Sequence, residues 1–239
     1  MNLIEKFRFR APHISGLIKP SRFLYKPVWY SSLELKFDPH SEEAESLGRL
    51  FKKFGSDKST VHDYYLLYST LIQMIPTGSN LLEIGIGTNN PNLPSTMGAN
   101  GKPGASLRAW KASKKFGMVI GADIDKECLF SEEQIETFYV DQLSESSLQE
   151  LREKFIEVKI DKPYLIIDDG LHTLEANSKT FSALYPLLED GGFFVIEDIT
   201  PENLIPLMAH VQMTIQEKKI SIWGNPNKGS DNNLMIIGK

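Results

Sequence analysis

The sequence predicts an α/β fold with a mostly parallel sheet of seven strands that ends in an antiparallel hairpin. From Asn80 onward, apolar runs alternate with amphipathic helical patterns at short intervals, as they do when helices join parallel strands. No helical pattern separates the last two apolar runs across Gly224–Asn233, so these two runs are expected to pair directly. The expected strands are Leu81–Ile86, Met118–Ile124, Thr137–Val140, Tyr164–Ile167, Gly192–Ile196, Ile220–Trp223 and Leu234–Ile237.

Helical patterns occupy most of the intervals between these strands. Ser144 precedes one of them as a capping residue, and Pro201 suits the first position of another. The expected helices are Ser106–Lys115, Glu132–Glu136, Glu145–Val158, Leu174–Leu188 and Pro201–Lys218. This order of elements, closed by a hairpin, is the arrangement of a Rossmann-like class I methyltransferase and differs from that of a dinucleotide-dependent dehydrogenase.

Two further amphipathic stretches, Ser41–Phe54 and Val61–Ile75, lie upstream of the sheet. We therefore expect a helical extension at residues 1–78, which covers the ligand cleft or forms a subunit contact, and a catalytic domain at residues 79–239. The first 20 residues contain no apolar leader segment. They are interpreted as an ordinary start to the chain, with a partner-binding arm as the alternative.

Composition narrows the function classes. A hydrophobic fraction of 41% and a charged fraction of 24% are ordinary for a globular protein. The formal net charge of -5 disfavours a general nucleic-acid binder, which usually carries a basic face. No apolar run approaches the roughly 20 residues that a membrane-spanning helix needs. Cys128 is the single cysteine, which excludes an internal disulfide and predicts a reducing, cytoplasmic setting.

The turn after the first predicted strand has features of a nucleoside-binding site. Glu83, Gly85 and Gly87 lie in LLEIGIGTN, where glycines allow a sharp turn and a close approach of the backbone to a ligand. Asp123 ends the next strand, where a carboxylate can accept the ribose hydroxyls of an adenosine-containing cofactor. Asp141 and Gln142 follow the third strand and are expected at the adenine edge.

A dinucleotide is the competing ligand for this turn. Its fingerprint needs a third glycine at the start of a helix, and IGIGTNNP has none. Glu83 would also repel a pyrophosphate but would tolerate the cationic methionine end of S-adenosylmethionine. The pattern therefore favours S-adenosylmethionine.

Acidic residues follow two more strands, in YLIIDDGLH and GGFFVIEDI. Converging carboxylates suit an octahedral Mg²⁺, and helix capping is the alternative role for these acids. Successive strand residues face opposite ways, so Glu197 and Asp198 can share an ion only if the strand has begun to turn. Asp168 is expected to face away from the ion, towards backbone amides, and to belong to the cofactor-binding residues. His172, three residues after Asp169, is expected to accept a proton from a hydroxyl, although a single histidine is often only a surface residue.

Residues between Gly87 and Gly104 read TNNPNLPSTMGANGKP and predict neither helix nor strand. Two interpretations remain open for this segment, a tolerated surface insertion or a lid over the cofactor or substrate. Its position after the carboxyl end of the first strand favours the lid.

Five motifs in order resemble one enzyme family: FGSDKSTVHDYYLLY, LLEIGIG, GASLRAW, IIDDGLH and VIEDI. Together, over residues 54–239, they look like the metal-dependent sugar O-methyltransferases of macrolide biosynthesis, the macrocin and mycinamicin type. The resemblance implies that Asp169, Glu197 and Asp198 hold Mg²⁺ and that His172 is the general base. It also implies that a further set of residues closes the cofactor pocket, namely Lys58, His62, Tyr65, Ser106 and Arg108.

The expected reaction is therefore methyl transfer from S-adenosylmethionine to a sugar hydroxyl of a natural-product glycoside, a nucleotide sugar or a surface polysaccharide. Catechol-type methyltransferases have a lysine where this chain has His172, which favours an aliphatic hydroxyl. The expected partner is thus a small-molecule or glycan acceptor, and a homo-oligomer is also considered. The alternatives are a hydroxylase-like or other enzyme on the same fold, and a non-catalytic subunit that binds S-adenosylmethionine.

Overall fold

The computed structural model describes residues 30–31, 38, 40–215, 219–224, 229 and 231–239 of the protein. The strands are β1 (Tyr30–Ser31), β2 (Ser79–Ile84), β3 (Phe116–Asp123), β4 (Ser131–Glu132), β5 (Ile135–Tyr139), β6 (Pro163–Asp168), β7 (Phe193–Ile196), β8 (Ile220–Gly224) and β9 (Asn233–Gly238). The α-helices are α1 (Glu42–Phe54), α2 (Tyr64–Met74), α3 (Ala105–Ala112), α4 (Glu145–Glu157), α5 (Leu174–Leu184) and α6 (Pro201–Thr214).

The strands form one sheet in the order β1-β8-β9-β7-β6-β2-β3-β5-β4. Strands β7, β6, β2, β3 and β5 are parallel, and β9 lies antiparallel between β7 and β8. This confirms the mostly parallel sheet with a C-terminal hairpin. The structure adds two strands of two residues each, β1 and β4, at the two edges of the sheet.

The register brings the carboxyl ends of the central strands together. Ile84 at the end of β2 pairs with Ala122 of β3 on one side and with Asp168 of β6 on the other. Asp168 in turn pairs with Ile196 at the end of β7. The polar residues that follow these strands therefore emerge side by side at one edge of the sheet.

Each face of the sheet is covered by a helical layer, because successive strand residues point to opposite faces. Leu82, Ile120 and Ile166 pack with side chains of α4, α5 and α6 in one core cluster. Leu81 and Leu165, on the opposite face, pack in a second cluster with α1, α2 and α3. Helices α1 and α2 therefore share a core with the sheet, and the division of the chain at residue 78 stays a prediction.

The helix predicted at Glu132–Glu136 is wrong. These residues form β4, a tight turn with Gln134 at φ 62°, and the start of β5. In β5, Ile135 and Thr137 are buried while Glu136 between them is not, which is the period of a half-buried strand.

Other predictions depend partly on residues outside the described part of the chain. These include the first 20 residues and the end of the helix predicted at Pro201–Lys218, which is helical as far as Thr214. Among the described residues, no helix has the length and apolar character to cross a membrane.

Candidate active site

The turn after β2 lies close to the turn after β6. Gly85 and Gly87 have φ angles of 83° and 86°, in the left-handed region that glycine adopts without strain. A Cβ atom on Gly85 would lie 2.0 Å from the carbonyl oxygen of Asp169. Glycine at this position therefore permits the close approach of the two strand ends.

Two adjoining cavities open at this edge of the sheet. They share Gly85, Gly87, Ser95 and Asp169. The first cavity is also lined by Ile84, Thr88, Pro94, Asp123, Ile124, Val140, Asp141, Gln142, Leu143, Gly170 and Leu171. The second cavity is also lined by Asp57, Lys58, Ile86, Thr96, Met97, Lys102, Ala105, Ser106, His172 and Asp198.

Asp123 at the end of β3 fixes the backbone around the first cavity. Its Oδ2 accepts a hydrogen bond from the amide of Ile86 at 2.9 Å, and its Oδ1 accepts one from the amide of Asp125 at 2.9 Å. Burial raises the pKa of this carboxyl, although the backbone donors favour its ionised form. Asp141, across the same cavity, uses Oδ1 to accept the Leu143 amide at 2.9 Å.

Gln142 lines the first cavity and also makes hydrogen bonds within the protein. Its Nε2 donates to Oδ1 of Asp168 at 2.6 Å and to Thr180 at 2.9 Å, while its Oε1 accepts the Leu171 amide at 2.8 Å. Its side-chain amide is therefore engaged within the protein, and its place at the adenine edge stays a prediction.

Asp168 is fully buried and is held by side-chain amides. Besides Gln142, Nδ2 of Asn177 donates to its Oδ2 at 2.9 Å. The sequence predicts that Asp168 faces backbone amides, but the groups that donate to it are side-chain amides. Burial raises the pKa of Asp168, and these amide donors oppose that effect.

A buried lysine joins three carboxylates at the base of the second cavity. Gly55 ends α1 in a left-handed conformation, and a short 3₁₀ turn at Asp57–Ser59 then carries Lys58 inward, where it is 1% exposed. Its Nζ lies 2.6 Å from Oδ2 of Asp169, 2.8 Å from Oε2 of Glu197 and 3.3 Å from Oε1 of Glu83.

These contacts set the charge of Lys58. Burial lowers its pKa, but the carboxylates of Asp169, Glu197 and Glu83 outweigh burial and place the pKa well above its ordinary value. Lys58 is therefore a buried cation. Burial also raises the pKa of Glu83, whose second oxygen accepts a hydrogen bond from Nε1 of Trp110 at 3.0 Å.

Two tyrosines of α2 hold the acids that follow β7. They are one helical turn apart and therefore share a face: the Tyr64 hydroxyl donates to Asp198, and the Tyr68 hydroxyl donates to Glu197. Burial raises the pKa of both tyrosines, so their hydroxyls stay protonated and act as donors. Burial and then the charge of Asp169 raise the pKa of Glu197.

The two acids that follow β7 point in different directions. Glu197 is 1% exposed and turns inward to Lys58 and Tyr68. Asp198 adopts φ 53°, so the strand has turned at this residue, and its carboxylate reaches the second cavity.

Asp198 meets Asp169 and His172 at the surface of the second cavity. One ligand atom from each of the three residues lies within 4.8 Å of the others. Nε2 of His172 is 3.8 Å from Oδ1 of Asp169, and the His172 backbone has φ 57°. Glu197, the third predicted metal ligand, is not a member of this group; His172 takes its place.

The remaining residues implied by the resemblance lie at varied distances from the cavities. Ser106 lines the second cavity. Nδ1 of His62 is 3.8 Å from Oδ1 of Asp198, and its ring stacks on Tyr64. Tyr65 lines neither cavity and lies against Gly48 of α1.

Arg108 also lies outside both cavities. Its guanidinium pairs with Glu132 at 2.8 Å, donates to the Pro103 carbonyl at 3.0 Å and lies over the ring of Phe130. These contacts tie α3 to β4.

The segment between Gly87 and Gly104 forms neither helix nor strand, as predicted. It folds on itself through Nδ2 of Asn89, which donates to the carbonyls of Gly98 and Gly101.

The same segment contributes to the walls of both cavities. Pro94 and Ser95 line the first cavity, and Met97 lines the second. The segment thus forms one wall of both cavities.

Sequence reasoning missed Tyr64, Tyr68 and Trp110 as site residues. For the two tyrosines the signal is spacing: they are four residues apart, in the same motif as Lys58 and His62. Trp110 likewise ends the motif GASLRAW, but only the fold shows that its indole reaches Glu83.

No family model matches the chain, but curated relatives do. An 8-demethyl-8-alpha-L-rhamnosyl tetracenomycin-C 2'-O-methyltransferase from Streptomyces olivaceus is 29% identical over 174 residues, which are 72% of this chain and 43% of the relative. An L-olivosyl-oleandolide 3-O-methyltransferase from Streptomyces antibioticus is 32% identical over 66% of this chain and 38% of the relative. The chain spans less than half the length of these relatives.

Solved structures with the same fold include methyltransferases. MycE methyltransferase from the mycinamycin biosynthetic pathway, in complex with Mg and SAH, aligns with a TM-score of 0.62 at 23% identity over 81% of this chain and 55% of its own. The O-methyltransferase from Bacillus cereus in complex with SAH aligns with a TM-score of 0.51 at 16% identity over 84% of this chain and 92% of its own. This chain has the class I S-adenosylmethionine-dependent methyltransferase fold, and over 66–72% of its length it is a homologue of natural-product sugar O-methyltransferases.

Proposed function

We propose that the protein transfers a methyl group from S-adenosylmethionine to a sugar hydroxyl and uses a divalent cation, Mg²⁺, to do so. The observation that carries the proposal is the meeting of Asp169, His172 and Asp198 beside the glycine turn. Carboxylate oxygens and an imidazole thus meet in the second cavity, in a homologue of sugar O-methyltransferases.

The first cavity suits the nucleoside part of S-adenosylmethionine. Asp123 offers carboxylate oxygens for ribose hydroxyls, and the apolar side chains of Ile124, Val140 and Leu143 offer surfaces for an adenine ring. Gly85 and Gly87 line both cavities, so the ligand would pass along this glycine turn from one cavity to the other. The methionine end would then lie in the second cavity, near Ser106.

The donor set suits a hard divalent cation. Asp169 and Asp198 are partly exposed to the second cavity and present oxygen ligands, which Mg²⁺ prefers. Glu197 would supply the third carboxylate by releasing Oε2 from Lys58. When bound, Mg²⁺ would supply Lewis acidity that makes an aliphatic hydroxyl more acidic.

His172 supplies the proton acceptor in this proposal. Its ring lines the second cavity, and its Nδ1 has no hydrogen-bond partner in the described part of the protein. As the acceptor oxygen bonds to the methyl carbon, the carbon–sulfur bond of the sulfonium breaks and S-adenosylhomocysteine leaves. The hydroxyl proton moves to a ring nitrogen of His172.

Labelled S-adenosylmethionine offers the direct test. The protein is incubated with a panel of rhamnosides, other deoxyhexosides and nucleotide sugars, with Mg²⁺ or with a chelator. The proposal expects label in a sugar O-methyl group, and only when Mg²⁺ is present. Transfer to nitrogen or to a phenol, or equal transfer in chelator, would overturn it.

The setting of the reaction is part of the proposal. The acceptor is a small-molecule or glycan sugar, rather than nucleic acid, in keeping with the acidic net charge of -5. A cytoplasmic location accords with the single cysteine. A homo-oligomer would give the helices α1 and α2 a second role as a subunit contact.

A further inference from the structure

Lys58 is the most deeply buried cation of the site. Its side chain is 1% exposed, and its Nζ lies between Oδ2 of Asp169 and Oε2 of Glu197, at 2.6 and 2.8 Å. A lysine ammonium loses most of its hydration when it is buried in this way, so it is stable there only with anionic partners.

The acids around Lys58 outnumber it. Glu83, Asp169 and Glu197 all contact Lys58, and Asp198 follows Glu197 in the chain. In the described part of the chain, Lys58 is the only lysine or arginine within 4.0 Å of any of these four carboxylates. Without it, two buried acids and Asp169 would face one another with no counter-charge.

Two of the three carboxylates that touch Lys58 are also expected metal ligands. Its Nζ therefore occupies the space between Asp169 and Glu197 that a divalent cation would share. A metal ion and the Lys58 ammonium cannot both bind these two carboxylate oxygens closely, because both are cations and would repel each other at this distance.

On the basis of the proposed function, we propose that Lys58 is a built-in counter-ion that competes with the metal. In the metal-free protein its ammonium holds Asp169 and Glu197 at the spacing seen here. When the metal binds, the flexible lysine side chain gives up Oδ2 of Asp169 and Oε2 of Glu197 and keeps Glu83, which is 3.3 Å away. Lys58 is thus a positioning residue of the metal site.

If Lys58 competes with the metal, its replacement should change the metal affinity in the opposite direction to that expected for a purely structural residue. Replacement of Lys58 by a neutral residue removes the cation that the metal must displace, so metal binding becomes tighter. If Lys58 instead had to stay in place to shape the site, its removal would weaken metal binding.

The test is titration calorimetry of Mg²⁺ and Mn²⁺ into the chelator-treated full chain, without S-adenosylmethionine or acceptor. Lys58→Met keeps the bulk of the side chain without its charge, and Lys58→Gln adds a hydrogen-bond donor that lowers the risk of misfolding. The matched control is Lys102→Met, which removes a lysine that lines the same cavity, with no carboxylate contact found in the described residues. It corrects for the loss of one positive charge.

Both Lys58 variants are expected to bind the metal roughly tenfold more tightly than the parent, which corresponds to about 1.4 kcal/mol. Lys102→Met is expected to stay within about twofold, because its charge is exposed and screened. Without metal, the Lys58 variants should also melt at a lower temperature than the parent, and saturating metal should remove most of that difference.

Weaker metal binding in both Lys58 variants would overturn the proposal. So would a variant that stays unfolded at saturating metal, because the metal would then not replace the ammonium. If neither the parent nor any variant binds a divalent cation, the competition is also refuted. The labelled-methyl assay in chelator then decides separately whether the protein is a methyltransferase.

Discussion

The hydroxyl of Tyr68 donates a hydrogen bond to Oε1 of Glu197, and both side chains are buried. The contact links α2, which precedes the sheet in sequence, to the residue that follows β7. Each carboxylate oxygen of Glu197 therefore accepts one hydrogen bond, Oε1 from Tyr68 and Oε2 from Lys58.

Tyr68→Phe should therefore destabilise the protein. The substitution leaves a buried carboxylate oxygen without its donor, at a cost of about 1–3 kcal/mol in the free energy of unfolding. Urea denaturation of the metal-free protein measures the effect. Tyr65→Phe is the control, because Tyr65 is only half-buried and has no such contact with Glu197; equal losses in the two variants would contradict the role given to Tyr68.

Gly85→Ala and Gly78→Ala should separate backbone strain from steric clash. Both glycines have left-handed φ angles, 83° and 87°, so both substitutions carry a strain of about 1–2 kcal/mol. A Cβ on Gly85 would also lie 2.0 Å from the Asp169 carbonyl, whereas one on Gly78 meets nothing within 4 Å. Thermal or urea unfolding should show that Gly85→Ala loses a further 1–3 kcal/mol, roughly the cost of overpacking.

Asp123→Asn should weaken the binding of S-adenosylhomocysteine. Loss of a charged acceptor for the ribose is worth about 1.5–3 kcal/mol, or on the order of 10- to 100-fold in affinity measured by calorimetry. The affinity of the parent should also fall on acidification, because the protonated carboxyl is a poorer acceptor. Burial raises the pKa of Asp123, so this fall should begin at a higher pH than for an exposed aspartate. A similar pH dependence in Asp123→Asn would assign it to another group.

His172→Asn and Asp169→Ala should have different effects on metal binding. Asparagine tolerates the left-handed backbone of residue 172, so the first variant is expected to fold. It should retain metal and S-adenosylhomocysteine binding but lose rate by on the order of 10²–10⁴-fold, the contribution of a general base. Asp169→Ala should lose metal binding. A ring nitrogen of His172 lies within 4.8 Å of carboxylate oxygens of Asp169 and Asp198. Equal loss of metal affinity in both variants would therefore make His172 a ligand.

A shortened segment between Asn89 and Lys102 should impair turnover more than stability. Pro94, Ser95 and Met97 form walls of the two cavities, whereas the hydrogen bonds of Asn89 stay within the segment. Steady-state kinetics and thermal unfolding of the shortened protein measure the two effects. Unchanged kcat and KM would identify the segment as a tolerated surface insertion.

The parallel sheet could be predicted because buried strands appear in the sequence as short apolar runs. LLEI, LIID and FFVI all match strands, and the acids that follow them come together at one edge. The turn at Gln134 could not be predicted in this way, since a left-handed glutamine carries none of the usual glycine or asparagine signal. The helix predicted at Glu132–Glu136 therefore runs across a turn between two strands.

The contacts of the site were harder to predict than its position. Lys58 and Glu197 are 139 residues apart, and a lysine in a loop pattern normally indicates exposure. Gln142 is a similar case, because its amide is engaged by Asp168 and Thr180 only once α5 has packed on the sheet. Residue type and spacing locate the site, whereas the partner of each polar group depends on tertiary packing.

Strand β9 is the last element of the sheet in sequence, yet it lies inside the sheet between β7 and β8. On the ribosome, β7 therefore waits for a neighbour that is synthesised almost 40 positions later, and β8 waits for the same segment. Until residue 238 has left the exit tunnel, the edge of β7 is open, next to the acids that follow it. During this interval the nascent chain presents an unpaired strand edge, so chaperone capture of arrested chains should be strongest just before β9 emerges.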